Sequence, residues 1–165
     1  MKRFICVICC VICIVLLCGC GLQSQSYLRI HIRANSNCEA DQNVKYKVKD
    51  LVVTYLEPYV QDAKSVDQLK ETINSLNSRL TQLINNFLCD NGFNYGCSIA
   101  INNEFFPTRT YESLTLKADY YDAIIIELGE GKGNNWWCVV YPPLCFTGNN
   151  VVYKSKIVEL IKKYL

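Results

Sequence analysis

The sequence has one histidine, no excess of either charge once its first residues are set aside, and neither internal repeats nor low-complexity tracts. Each scarcity removes a class of function. With only His31 available, a Cys-His or Ser-His catalytic pair would have to use that residue, and no zinc-ligand set has workable spacing. The 17 basic residues include Lys2 and Arg3, and without those two the basic count equals the 15 acidic residues. Such a balance argues against nucleic-acid binding and against an electrostatic grip on a membrane. What remains is long enough for one ordinary domain with a real hydrophobic core.

Lys2 and Arg3 precede an apolar run from Phe4 to Leu17, followed by Gly19 and a polar segment from Gln23. These are the charged, apolar and cleavage regions of a secretory signal, in order. Counted to Leu22, the run just reaches the roughly 20 residues of a spanning helix, so a retained anchor is a second reading. A third is a lipoprotein. Leu17-Cys18-Gly19-Cys20 resembles a lipobox with Cys20 as the candidate for lipidation, although Cys18 stands where a small or hydroxyl residue is usual. All three readings set residues 1–20 apart as a signal or anchor and export the remainder, which then meets the membrane only through that signal or lipid.

Of the 11 cysteines, Cys6, Cys9, Cys10, Cys13 and Cys18 lie in the apolar segment, where cysteine acts as a small hydrophobe. Cys38, Cys89, Cys97, Cys138 and Cys145 follow Cys20. If Cys20 is acylated this set is odd, and at least one thiol stays free or pairs between molecules.

In the exported part, Tyr27 to Ala34 alternates, with Leu28, Ile30, Ile32 and Ala34 on one face and Arg29, His31 and Arg33 on the other, which predicts a half-buried strand. Ser36 and Glu39 form a capping box, and apolar residues from Val44 to Tyr59 recur at helical spacing until Pro58 should kink or end the helix. Ser65 and Gln68 open a second helix whose leucine stripe runs to Leu88, with Gly92 as a left-handed cap. Lys70, Asn74, Asn77, Gln82 and Asn85 form its opposite, solvated face. A strand follows through Ile99 and Ile101, turned by Asn102-Asn103; Glu104 to Tyr111 pairs along an edge. Tyr121 to Leu128 is strongly β-forming, and the short Gly-rich link after it predicts antiparallel pairing with the strand containing Trp136 and Trp137. Pro142-Pro143 ends that strand. Residues 27–148 form one domain, and 149–165 a short link and terminal helix. The expected class is α+β: a mainly antiparallel sheet with two long helices on one face and a short C-terminal helix.

Enzymatic chemistry finds little support. His31 lies in the polar register of the first strand with no cysteine or serine tied to it by a motif, so a structural histidine is the preferred reading. Gly129-Glu130-Gly131-Lys132-Gly133 lacks the spacing and the Ser/Thr of a phosphate loop and leads to a strand, so it is read as a turn. Glu104, Glu127 and Glu130 could supply a carboxylate pair, but suit sheet-edge solubility equally. No cofactor or metal is expected. The rival class is an exported hydrolase using His31 or these carboxylates.

Several stretches are diagnostic together. Tyr27 to Ser36, Asp41-Gln42, Lys45 to Asp50, Phe106 to Tyr111, Leu114 to Leu116, Gly129-Glu130-Gly131 and Asn135 to Phe146 resemble, in this order, the stage II sporulation protein R family. The resemblance spans nearly all of the exported domain; the cysteine-rich signal and the short Gly148-Asn149-Asn150 link depart from it. It implies a signalling protein rather than an enzyme. Such a protein is made in the forespore, exported into the space between forespore and mother cell, and activates a membrane-bound aspartic protease, stage II sporulation protein GA, which processes the sigma factor E precursor. The expected contact region is the segment with Phe106, Arg109 and Tyr111 together with Trp136 and Trp137, whose composition suits an interface anchor and equally suits core and turn. Cys138 and Cys145 flank the Pro-Pro turn within disulfide reach, as against two packed thiols; Cys89 and Cys97 are a weaker candidate pair.

Overall fold

The alternating segment is strand β1, Leu28–Arg33. The computed structural model describes residues 26–111, 114–146 and 161–164. Helices α1 (Glu39–Asp62) and α2 (Val66–Asp90) follow β1, then strands β2 (Cys97–Phe106), β3 (Arg109–Tyr111), β4 (Leu114–Leu116), β5 (Asp119–Leu128) and β6 (Asn135–Tyr141), and a 3-10 turn at Leu144–Phe146. Four strands form one sheet in the order β2-β5-β1-β6, while β3 and β4 pair only with each other. β1 runs parallel to β5 and antiparallel to β6, and β2 is antiparallel to β5. The fold is α+β with a mostly antiparallel sheet, as the element order predicts.

The core lies between one sheet face and the two helices. Leu28, Ile30 and Ile32 of β1, Ile124 and Ile126 of β5, and Val140 of β6 pack with Val48, Leu51 and Leu56 of α1 and with Leu69, Leu80 and Leu83 of α2. Each is at most 1 % exposed, and full burial of such a side chain contributes roughly 1.5–3 kcal/mol. Tyr164, in the helical turn 161–164, docks against the end of α2, its ring 6.5 Å from Phe87 and its hydroxyl donating to Asp90 at 2.7 Å. No helix among the described residues is long and apolar enough to cross a membrane. The N-terminal segment with Cys20, and the Gly148-Asn149-Asn150 link, lie outside the described residues.

Local expectations are corrected at five places. β5 and β6 are not neighbours, because β1 lies between them. The connecting loop crosses the end of β1, donating from Lys132 N–H to Asn35 O at 3.2 Å and from Gly133 N–H to Ala34 O at 2.8 Å. The N-cap of α1 is Cys38 rather than Ser36: its Sγ accepts from Asp41 N–H at 3.5 Å, while the Ser36 hydroxyl is drawn to the Asp41 carboxylate at 2.6 Å. α1 runs through Pro58, which faces solvent while Tyr55, Leu56 and Val60 keep the helix anchored in the core. β2 runs through Asn102-Asn103 without a turn, paired with Ala123 and Asp122, and Asn103 Nδ2 donates to Asp122 at 3.1 Å. The supposedly solvated face of α2 guards an edge strand: Asn77 donates to Ile99 O at 3.2 Å and Asn85 accepts from Cys97 N–H at 2.8 Å, covering backbone groups that β2 leaves unpaired.

The α2 caps follow their local signals. Ser65 Oγ accepts from Gln68 N–H at 3.2 Å. At the other end Gly92 takes φ +82°, with Phe93 N–H bonded to Leu88 O and Gly92 N–H to Cys89 O, both at 3.0 Å, a Schellman motif.

Candidate functional site

The second face of the sheet points away from the helices, and Arg29, His31 and Arg33 of β1 form its middle row. A half-buried strand should leave this row wet; instead Arg29 is 0 % and His31 4 % exposed. Arg33 donates from Nη1 to Glu127, its register partner on β5, and from Nη2 to Glu104 on β2. The other oxygen of Glu104 lies 2.9 Å from His31 Nδ1. Burial lowers the His31 pKa to about 4; Asn135 and Glu127 pull it up, and the Arg33 and Arg29 charges reinforce the fall. The imidazole is therefore neutral near pH 7, donating Nδ1–H to a carboxylate whose charge Arg33 already answers. Its Nε2 is buried without a partner among the described residues, in a ring set 5.7 Å from Phe106 and 5.2 Å from Trp137.

Arg29 is held differently. Its Nη2 donates to the Tyr111 hydroxyl at 2.6 Å, and its guanidinium carbon lies 4.1, 4.9 and 5.7 Å from the ring centres of Phe106, Tyr121 and Tyr111. Its Nε and Nη1 have no partner among the described residues. The β3–β4 ribbon thus covers this end of the face through Tyr111. Beside it, Arg109 is exposed and stacks over Trp137 at 4.4 Å.

The structure divides the five expected contact residues. Arg109, Tyr111 and Trp137 come together on the ribbon side. Phe106 is 0 % exposed, so it belongs to the floor beneath Arg29 and is corrected from contact to core. Trp136 falls on the opposite, helix-facing side, packed against the main core with Lys49 5.9 Å from its ring, because neighbouring strand residues point to opposite faces. Cys138 and Cys145 are joined by a disulfide with Cα atoms 6.2 Å apart, tying the 3-10 turn to the middle of β6. Cys89 and Cys97 are not joined. Cys89 is exposed at the end of α2, while Cys97 faces the core, its thiol pKa pushed up to about 12 by burial.

Residues 24–151 match the family model described as stage II sporulation protein R. A relative of that name from Bacillus subtilis (strain 168) is 34% identical over 119 residues, which cover 72% of this chain and 53% of the relative. The chain belongs to the stage II sporulation protein R family. It spans about half the length of that relative, and no solved structure matches it. A sporulation role follows from membership, and the stage II sporulation protein R name denotes no enzyme.

Asn35, Ser36, Asp41, Gln42 and Lys45 take part in one internal lock that sequence reasoning missed. Asp41 accepts from Ser36 Oγ at 2.6 Å, Asn35 Nδ2 at 2.9 Å and Tyr95 Oη at 2.5 Å. Burial alone would raise its pKa, yet these bonds bring it down to about 2. Lys45 is 1 % exposed and donates to Gln42 at 2.7 Å and to Asn134 O at 3.0 Å; burial lowers its pKa. Asn35 Oδ1 accepts from Glu130 N–H at 3.0 Å and Asn37 Oδ1 from Asn134 N–H at 2.6 Å. The Gly129 to Gly133 stretch is therefore a turn whose N–H donors are all taken within the fold, Glu130 by the Asn35 side chain and the other four by backbone carbonyls, not a phosphate cradle. Gly129 and Gly131 have φ +57° and +61°. One signal for Lys45 was available: it lies on the same helical stripe as Val48 and Val52.

The hydrolase residues are similarly occupied. Glu104 and Glu127 share Arg33, and Glu130 is exposed and paired with Lys132 at 2.7 Å. The side chains around His31 named above include no hydroxyl or thiol nucleophile. No group of three His, Cys, Asp or Glu that could hold a metal occurs among the described residues.

Proposed function

We propose that this chain is an exported signalling protein of endospore formation that activates a membrane-bound aspartic protease, which then processes the sigma factor E precursor. Family membership supplies the sporulation context. The observation that carries the contact surface is Arg109, exposed on the ribbon and stacked 4.4 Å over Trp137. An exposed arginine on an aromatic platform has the composition of an interface anchor. In the row beneath it, Arg33 is answered by Glu104 and Glu127, an ion-pair arrangement that suits a rigid platform better than proton transfer.

The test is to express the full chain with the protease and the precursor in a non-sporulating host and follow precursor cleavage. The unsubstituted chain should trigger cleavage; its failure to do so refutes the activator role. Arg109→Ala, on the surface and away from the core, should reduce cleavage about tenfold or more, the loss typical of an interface hot spot. Unchanged cleavage by this variant removes the ribbon as the contact.

A further inference from the structure

The ribbon covers a charge that is only partly answered. Arg29 is 0 % exposed and makes one hydrogen bond, to Tyr111, while Nε and Nη1 have no acceptor among the described residues. A guanidinium carries five N–H donors, and an isolated buried charge is costly even over aromatic rings. Arg33, two residues along the same strand face, shows what this face does for a structural arginine: it supplies two carboxylates. Arg29 has none among the described residues.

The element above it is lightly held. β3 and β4 have three residues each and pair only with each other, and a lone two-stranded ribbon is marginally stable. Among the described residues its polar and cation–π ties to the sheet are the Tyr111 bond to Arg29 and the Arg109 stack on Trp137, with apolar packing from Tyr111 and the buried Leu116 beside them. A carboxylate taking the place of the Tyr111 hydroxyl would receive two parallel N–H bonds where the hydroxyl receives one. The surrounding Phe106 and Tyr121 favour a carboxylate carried on a peptide over a bare ion, and Arg109, on the same ribbon as Tyr111, adds a second positive group.

We propose that Arg29 is the receptor for a carboxylate side chain on an extended acidic segment of the partner protein, which enters between the ribbon and the sheet. This rests on the ribbon side being the contact surface. Arg29 is then kept in the fold for binding, at the expense of stability.

Two measurements on the full chain test this. In the co-expression assay, Arg29→Met should cut precursor cleavage about tenfold or more, the loss of a charge-assisted pair, while its melting temperature stays level or rises, because a matched apolar side chain replaces a poorly answered charge. A fall of more than about 5 °C would make Arg29 a stabilising element and overturn the proposal; so would cleavage at the unsubstituted level. The second measurement does not depend on signalling. The Nε–H resonance of Arg29, assigned by its loss in Arg29→Met, is titrated with a hexaglutamate peptide and separately with sodium acetate. A saturable shift with the peptide, and a response to acetate only at much higher concentration, is expected. No shift with either, or equal response to both, overturns the site. A peptide shift with no cleavage by the unsubstituted chain would keep the site and refute the activator role.

Discussion

Removing the Cys138 to Cys145 disulfide should cost a calculable amount. Seven positions separate the two cysteines, and the loop-closure entropy of so short a loop corresponds to about 2.4 kcal/mol of stability at room temperature. For a domain of this size that is a drop of about 10 °C in melting temperature. Cys138 is 8 % exposed and packs in the main core, so the Cys138→Ala, Cys145→Ala double variant also loses two sulfur atoms' worth of packing, whereas reduction of the native chain does not. The assay is thermal unfolding followed by circular dichroism, with tryptophan fluorescence reporting on β6 itself, for both proteins with and without a phosphine reductant. The native chain should fall by about 10 °C on reduction, and the double variant should start at or below the reduced native value and not respond. A fall of under about 3 °C on reduction would refute the chain-entropy reasoning. In that case the 3-10 turn with Phe146 holds itself in place without the bond.

Two further outcomes follow from the buried polar groups and the tight loop. His31 has a pKa of about 4 in the fold against 6.5 when free. Its neutral form therefore contributes stability that is complete above pH 6.5 and disappears as the pH falls to about 4, up to about 3 kcal/mol. His31→Gln should flatten urea midpoints across that window; an unchanged slope would contradict the assignment. Asp41, brought down to about 2, should leave a separate acid limb beginning near its ordinary value of 3.8 in both proteins. Gly133→Ala places a Cβ 2.2 Å from the Ser36 carbonyl oxygen, whereas Gly92→Ala meets nothing within 4 Å and bears only the strain of φ +82°. The expected losses by urea denaturation are about 3 kcal/mol for Gly133→Ala and about 1 kcal/mol for Gly92→Ala. A reversed order would mean the loop does not seat on Ser36 as described.

Legibility in the sequence followed distance along the chain. The β1 alternation, the leucine stripe of α2, the Ser65 cap and the Gly92 cap are set by neighbours a few residues away, and the residues alone disclose them. Features set by remote partners were hidden. Arg29 and His31 read as wet because nothing local announces that Tyr111 of β3 lies over Arg29 or that Phe106 and Trp137 enclose His31; Asn77 and Asn85 read as solvated because the edge they guard comes later. Pro58 shows the same conflict from the other side, with a local breaker overruled by the burial of Leu56 and Val60. Of the candidate site, Arg109, Tyr111 and Trp137 were recognisable as a group by composition, while Trp136 was drawn in by adjacency in sequence and separated by the pleat.

The position of β1 has a consequence for the order in which the molecule can be made. The strand synthesised first is central, and both its neighbours belong to the last third of the domain; Arg33 meets Glu127 at a separation of 94 residues. Until β5 and β6 have emerged, both edges of β1 stay open, and the early part of the chain can form only its helices. Closing such long loops is slow. A nascent chain of this protein is therefore a thread with two helices for most of its synthesis, and its sheet, with the arginine row and the ribbon over it, assembles in one late step.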